Sequence, residues 1–239
     1  MREEQVGGLR TRITGGADGK GGGRGPLVLL LHGFGAPGDD LVHLADVLDV
    51  PAETRFIFPE GPISLSFGPR EARAWWLIDM ARMQADRMAG RVRDLSQDIP
   101  KGLVPAREIM LVFLKEIERK FGMEPRKTIL GGFSQGAMLS CDLILRTTQP
   151  YAGLIQLSGT LLAAPEWTPL LQKRKNVPVF QSHGTQDDIL PYVGAERLRD
   201  TLTHAGLSVE WHSFRGGHEI PGPVLCRLGP FITKAVTQT

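Results

Sequence analysis

Ser134 stands in Gly132-Phe133-Ser134-Gln135-Gly136, a G-x-S-x-G pattern. A serine hydroxyl is a weak nucleophile until a base takes its proton, so a hydrolytic role also requires a histidine and an acid to orient it. Five residues recur by chance, and their meaning depends on what flanks them. A strand-like stretch, 128–131, precedes Ser134, and the apolar helical run GAMLSCDLILRTT follows it. A strand-to-helix turn this sharp crowds the chain around the nucleophile, and Gly131, Gly132, Gly136 and Ala137 supply the small neighbours it needs. The turn also sets Ser134 at a helix N-terminus, where the dipole favours developing negative charge.

The chain has six histidines, at 32, 43, 183, 204, 212 and 218. On a nucleophile elbow the chain order is serine, acid, histidine, which excludes His32 and His43. His183 precedes the plausible acids, His204 falls within a helical pattern and His212 within strand-like VEWHSF. His218 alone occupies a glycine-rich loop, RGGHEIPG, between a last strand and a last helix, and is the expected base. The acid belongs to the loop after the preceding strand, where VPVFQSHGTQDDILP offers Asp187 and Asp188 side by side. Adjacent residues do not point at one imidazole together, and spacing does not choose between them. A tetrahedral intermediate also needs donors for its oxyanion. The backbone N–H of Gln135 and one from the glycine-bearing loop LLLHGFGAPGDD, best Phe34, are the candidates.

These residues need a scaffold, and the chain shows one. Six short apolar runs, LVLLL (27–31), RFIFP (55–59), KTILGG (127–132), GLIQLSG (153–159), VPVFQSHG (177–184) and VEWHSF (209–214), read as strands. Helical patterns lie between them at 39–48, 105–122, 135–147 and 193–205, with a last at 223–236. In 105–122, Ile109, Val112, Phe113, Ile117 and Phe121 fall on one face, with Pro105 marking the start and Gly122 the end. Alternation of this kind predicts an α/β fold with a mostly parallel central sheet and helices on both faces. Residues 1–239 read as a single domain, with 1–25 a flexible or edge segment. The glycine-rich stretch 15–26 reads as a flexible loop, because Thr14 and Gly21 stand where a phosphate-binding loop would need Gly and Ser or Thr. Residues 77–104 have three methionines and four arginines but no clean period, and are expected to form a loop, lid or cap over one end of the sheet.

Taken together and in order, LLLHGFG, RAWWLID, LGGFSQGAM, QLSGTL, HGTQDDILP and GGHEI resemble the phospholipase/carboxylesterase family of α/β-hydrolases, which includes the acyl-protein thioesterases. The likeness runs over 27–232. It implies the α/β-hydrolase fold and hydrolysis of carboxylic esters through an acyl-enzyme, with thioester cleavage as the alternative and neither cofactor nor metal. The family pattern H-G-x-x-D-P-x-V-P places the acid on Asp187; Asp188 stands where the family usually has proline. By the same mapping Ser134 is the nucleophile, His218 the base, and Phe34 and Gln135 the oxyanion donors. Trp75, Trp76, Leu161 and Leu190 lie near these loops and are expected to line an acyl pocket. The arginines of 77–104 would offer an anionic head group a place to bind. A non-catalytic binding protein on the same fold is the competing class, but such proteins typically lack a triad residue and this chain lacks none.

Composition agrees with this class. A net charge of +2 is too near balance to call for nucleic acid or an anionic membrane as partner. The longest apolar run, 27–31, is too short to span a bilayer, so no stable membrane insertion is expected. The two cysteines, Cys141 and Cys226, have no metal-ligand spacing and read as thiols of a reducing compartment. Together with the charged start MREEQVGGLR, this predicts a cytoplasmic protein; the resemblance implies a small-molecule or lipid ester as substrate, with a monomer or homodimer as the expected state.

Overall fold

In the computed structural model, which describes residues 1–65, 71–89 and 94–237, the run LVLLL shows why the fold is layered. It forms strand β4 (Leu27–Leu31), and successive side chains point to opposite faces. Leu27, Leu29 and Leu31 join one core with Phe113, Trp167 and Leu198. Val28 and Leu30 join the other with Leu44, Leu228 and Ile232. A strand covered on both sides has no polar face to show, hence its unbroken hydrophobicity.

The six apolar runs are the six parallel strands. They are β4, β5 (Arg55–Pro59), β8 (Thr128–Phe133), β9 (Gly153–Leu157), β10 (Pro178–Gly184) and β11 (Ser208–Phe214), in spatial order β5-β4-β8-β9-β10-β11. Beyond β5 the sheet continues antiparallel through β2 (Leu9–Gly16) and β1 (Arg2–Val6), joined by a Gly7-Gly8 turn in which both residues have positive φ. The stretch 15–26, expected as a flexible loop, contains the short β3 (Lys20–Gly22) paired to β2, its turn held by N–H groups of Lys20 and Gly22 on the Asp18 carboxylate at 2.8 Å. A separate antiparallel pair, β6 (Ile63–Leu65) and β7 (Ala72–Ala74), stands off the main sheet.

One face of the sheet packs α3 (Leu103–Phe121), α4 (Gln135–Arg146), α5 (Ala164–Leu171) and α6 (Tyr192–His204). The other packs α1 (Leu44–Val47) and α7 (Gly222–Thr237). Helix α3 begins two residues before Pro105, which the first turn tolerates because its N–H groups lack intrahelical partners anyway. Its buried stripe is Leu103, Ala106, Met110, Phe113, Leu114 and Ile117, whereas Val112, expected on that face, is 55% exposed. The helix expected over 39–48 shrinks to α1, preceded by i→i+3 turns such as Val42 N–H to Asp39 C=O. Within 77–104 lies α2 (Met80–Met88), and the returning chain is fastened to α5 by Ala164 N–H on Ser96 C=O (2.7 Å) and Ala163 N–H on Asp98 C=O (3.1 Å). No helix among the described residues is long and apolar enough to cross a membrane.

Candidate active site

Strand β8 runs directly into α4, and Ser134 is the hinge between them. Its backbone (φ 54°, ψ −115°) lies in the left-handed half of conformational space, which a non-glycine residue adopts only under constraint. The constraint is visible on both sides. A Cβ at Gly132 would come within 2.4 Å of the Leu31 carbonyl oxygen, and one at Gly136 within 2.0 Å of the same atom. Both positions must be glycine for the turn to close against β4. Ser134 N–H donates to Leu157 C=O at 2.9 Å, holding the turn to β9. Gln135 is the first residue of α4, so its N–H is one of those with no acceptor inside the helix.

The second oxyanion candidate lies against this turn. A Cβ at Gly33 would approach Phe133 Cδ1 to 3.1 Å and Ser134 Cβ to 3.4 Å, so the backbone after β4 runs beside Ser134. His32 controls its aim. One ring nitrogen, Nδ1, meets Gly33 C=O at 2.8 Å, and the other, Nε2, accepts from Gly61 N–H at 2.9 Å. The donor from Gly61 leaves Nε2 bare and puts the proton on Nδ1. Gly33 C=O and Phe34 N–H belong to one planar peptide, so fixing the carbonyl fixes the direction of the N–H. Burial lowers the His32 pKa from 6.5 to about 4, and the charges of Arg12 and Arg73 push the same way, against the bond to Gly33. The imidazole therefore stays neutral, as this pair of bonds requires. Farther along, Gly35 N–H donates to Arg73 C=O (2.8 Å) and Arg73 N–H to Ala36 C=O (3.0 Å), which clips the loop to β7. The Arg73 guanidinium in turn lies 2.8 Å from the buried carboxylate of Glu60.

Asp187 and His218 come from separate loops that two backbone bonds draw together, Thr185 N–H to Phe214 C=O (2.8 Å) and Gln186 N–H to Gly216 C=O (2.9 Å). The approach depends on Gly184, where a Cβ would lie 2.2 Å from the Gly217 carbonyl oxygen. His218 Nδ1 then meets Asp187 Oδ2 at 2.7 Å. Asp187 Oδ1 accepts the N–H groups of Ile189 (2.9 Å) and Leu190 (2.8 Å). Burial alone would raise the Asp187 pKa, but hydrogen bonds from His183, His218 and Leu190 and the nearby His218 charge hold it well below the usual carboxylate range. Asp188 faces outward and is exposed. The His218 ring packs on Phe133, centroids 4.7 Å apart.

Phe34, Ser134, Gln135 and His218 all line one cavity of about 620 Å³. Its apolar wall includes Trp76, Leu77, Met83, Met138, Leu162 and Leu190, with residues of 77–83 and 95–101 on one side. Of the four residues expected to line an acyl pocket, Trp76 and Leu190 line this cavity, and Trp75 and Leu161 do not. Trp75 is buried behind the loop, its indole N–H on His32 C=O at 2.9 Å. Leu161 lines a different cavity of about 540 Å³ with Leu171, Arg197 and Ala205. Arg82 reaches the first cavity, as do Lys101 and the acidic Asp79 and Asp98; Arg91 and Arg93 lie outside the described residues. Sequence reasoning passed over the Gln135 side chain, which accepts from Trp75 N–H and donates to Trp76 C=O, both at 2.9 Å. Its place next to Ser134 was the one signal in the sequence, and its burial shows only in the fold. Among the described residues no group of three or more His, Cys, Asp or Glu side chains is arranged to hold a metal ion.

Comparison with known proteins agrees with this architecture. Residues 20–236 match the family described as phospholipase/carboxylesterase. The acyl-protein thioesterase 1 of Kluyveromyces lactis is 32% identical over 223 residues, 88% of this chain and 92% of its own length. The counterpart from Candida albicans is 26% identical over 226 residues, again 88% and 92%. Among solved structures, esterase PE8 superposes with a TM-score of 0.77 at 30% identity, over 95% of this chain and 99% of that one. The Bacillus cereus carboxylesterase shares the fold at 21% identity, with a TM-score of 0.68 over 95% and 94% of the two chains.

Proposed function

We propose, from the premise that the chain belongs to the phospholipase/carboxylesterase family and is a serine hydrolase of the α/β-hydrolase fold, that Ser134, His218 and Asp187 form its catalytic triad. The observation that carries the reading is the 2.7 Å bond from His218 to the buried Asp187 in the cavity that Ser134 enters on a strained turn. Because His218 Nδ1 is committed to Asp187, Nε2 is the nitrogen left to take the Ser134 proton. Ser134 Oγ attacks the carbonyl carbon, and the oxyanion is received by the N–H groups of Phe34 and Gln135. His218 returns the proton to the leaving oxygen, an acyl-enzyme remains, and water activated by the same imidazole releases the acid.

The cavity wall of Trp76, Met138, Leu162 and Leu190 suits an apolar acyl group on a carboxylic ester. Residues of 77–83 and 95–101, within the stretch 77–104 expected as a lid or cap, cover it. A thioester carbonyl would be attacked by the same groups, and the name of the Kluyveromyces lactis relative favours that alternative. The site of action in this reading is the cytoplasm, consistent with two unpaired thiols.

Turnover of p-nitrophenyl esters from acetate to palmitate, by wild type and Ser134→Ala in parallel, tests the reading. A Ser134-dependent rate is expected, with the best chain length reporting the reach of the apolar wall. Equal rates from the two proteins would overturn it.

A further inference from the structure

His183 precedes the acids in the chain, yet the fold brings it to Oδ2 of the triad carboxylate, the oxygen that His218 also meets. It is fully buried at the end of β10. Its Nε2 lies 2.8 Å from Leu190 C=O and 3.2 Å from Asp187 Oδ2. A carbonyl can only accept, so Nε2 must hold the proton, shared between Leu190 and Asp187. The other nitrogen, Nδ1, is buried and has no hydrogen-bond partner among the described residues. A proton there would be a buried N–H with no acceptor, a costly arrangement. The geometry thus keeps the ring uncharged, with its proton on Nε2.

Asp187 is consequently surrounded by four donors. Ile189 and Leu190 N–H groups occupy Oδ1, and His218 and His183 occupy Oδ2. An ionised carboxylate has about four lone-pair sites. We propose that His183 is a positioning residue for the hydrolytic reaction: a neutral second histidine that shares Asp187 Oδ2 with His218, aims the carboxylate, and limits how strongly it draws a proton onto the catalytic imidazole. A cationic group in its place would neutralise Asp187 and strip His218 of its stabilising partner. A missing donor would leave the carboxylate more basic and the imidazolium overstabilised. The bond from His183 is also the largest of those that lower the Asp187 pKa against burial.

The proposal predicts a shift in the pH profile of kcat/KM, whose acid limb reports the imidazole. Other groups around the pair are few, and from α6 the Tyr192 ring faces His183 with centroids 6.2 Å apart. The exposed Asp188 adjoins Asp187, and Glu219 beside His218 accepts Gly217 N–H at 3.2 Å. Asp79, Arg82, Asp98 and Lys101 line the cavity that His218 enters. None of these changes when His183 is replaced.

The experiment compares the intact wild type, His183→Phe and His183→Gln on one p-nitrophenyl ester across pH. His183→Phe should move the acid limb upward by up to about one pH unit and lower kcat about tenfold. Gln, whose amide nitrogen can donate where Nε2 did, should restore both. An unmoved limb in a folded His183→Phe overturns the proposal, even with reduced activity. Should His183→Phe fail to fold, ¹⁵N–¹H imidazole spectra of the wild type decide: His183 should carry its proton on Nε2, facing Leu190 C=O and Asp187, and none on Nδ1. A His183 that holds its proton on Nδ1 is the contrary result. The inference rests on the triad reading. Were that reading at fault, Ser134→Ala and His218→Ala would remain active. A fault in the inference alone leaves those two inactive and the His183→Phe profile unchanged.

Discussion

Asp187 and Asp188 have identical chemistry and opposite surroundings, one 7% exposed with four donors around its carboxylate, the other facing outward. Asp187→Asn should lower kcat by on the order of 10⁴, the loss seen when a triad imidazole is left in the wrong tautomer. Asp188→Asn should stay near wild type, and ester turnover by the two variants ranks them; the reverse order would reassign the acid. Residue types alone left this pair unresolved, because which neighbour turns inward depends on backbone bonds from residues 189 and 190. His32 was excluded as a base by chain order, and its actual place, on the carbonyl of the Gly33–Phe34 peptide, was illegible without the Gly61 contact. His32→Gln should reduce kcat, with little change in KM, by up to the roughly 10²–10³ that a lost oxyanion donor costs. The glutamine amide reaches toward Gly61 but leaves Gly33 C=O undirected. A KM effect with unchanged kcat would argue against the assignment. Trp75 and Leu161 were misplaced for a related reason: proximity to a motif loop does not say which face of the loop a side chain takes.

Among the elements, those with a strong period were legible and those built from punctuation residues were not. Five of the six parallel strands stand out because both of their faces are buried, and β11, half-exposed at the sheet edge, stands out by the alternation of Val209 and Trp211 with polar neighbours. The pair β6 and β7 has three residues each and shows no alternation long enough to read. Helix α5 hides behind Pro165 and Pro169, although the first lies in the tolerant first turn and Trp167 anchors it to the core. Helix α2 sits at the surface with no buried stripe to set a period. The β8–Ser134–α4 unit was the clearest, since its glycines are dictated by contact. Gly136→Ala places a methyl group 2.0 Å from the Leu31 carbonyl oxygen, and should destabilise the protein by about 3 kcal/mol or more. A urea midpoint equal to wild type would show that β4 and α4 can separate at no cost.

Across the whole molecule, acid is the condition that works against the fold. The folded His32 has a pKa of about 4 against an ordinary 6.5, so between these values the unfolded chain binds a proton that the folded one refuses. Stability is therefore full above about pH 6.5 and falls as pH drops toward 4, by about 3 kcal/mol from this group. Asp187, whose pKa is depressed, loses its contribution in the same direction at lower pH still. Urea unfolding at pH 7.5 and 4.5 should show the loss in wild type and a smaller one in His32→Gln; equal losses would contradict the assignment. The global arrangement of alternating strands and helices was readable, but the linkage of the site to the sheet edge was not, because it runs through backbone atoms of distant segments. The short segment 72–76 shows what that linkage does. At one end Arg73 clips the loop that holds the Phe34 N–H, and at the other Trp76, held by Gln135, is a wall of the cavity. Gauge and tool share one rigid bracket. An acyl chain too short to press on Trp76 would leave that bracket unloaded, so selectivity for chain length would surface in the speed of the saturated enzyme more than in its grip on substrate.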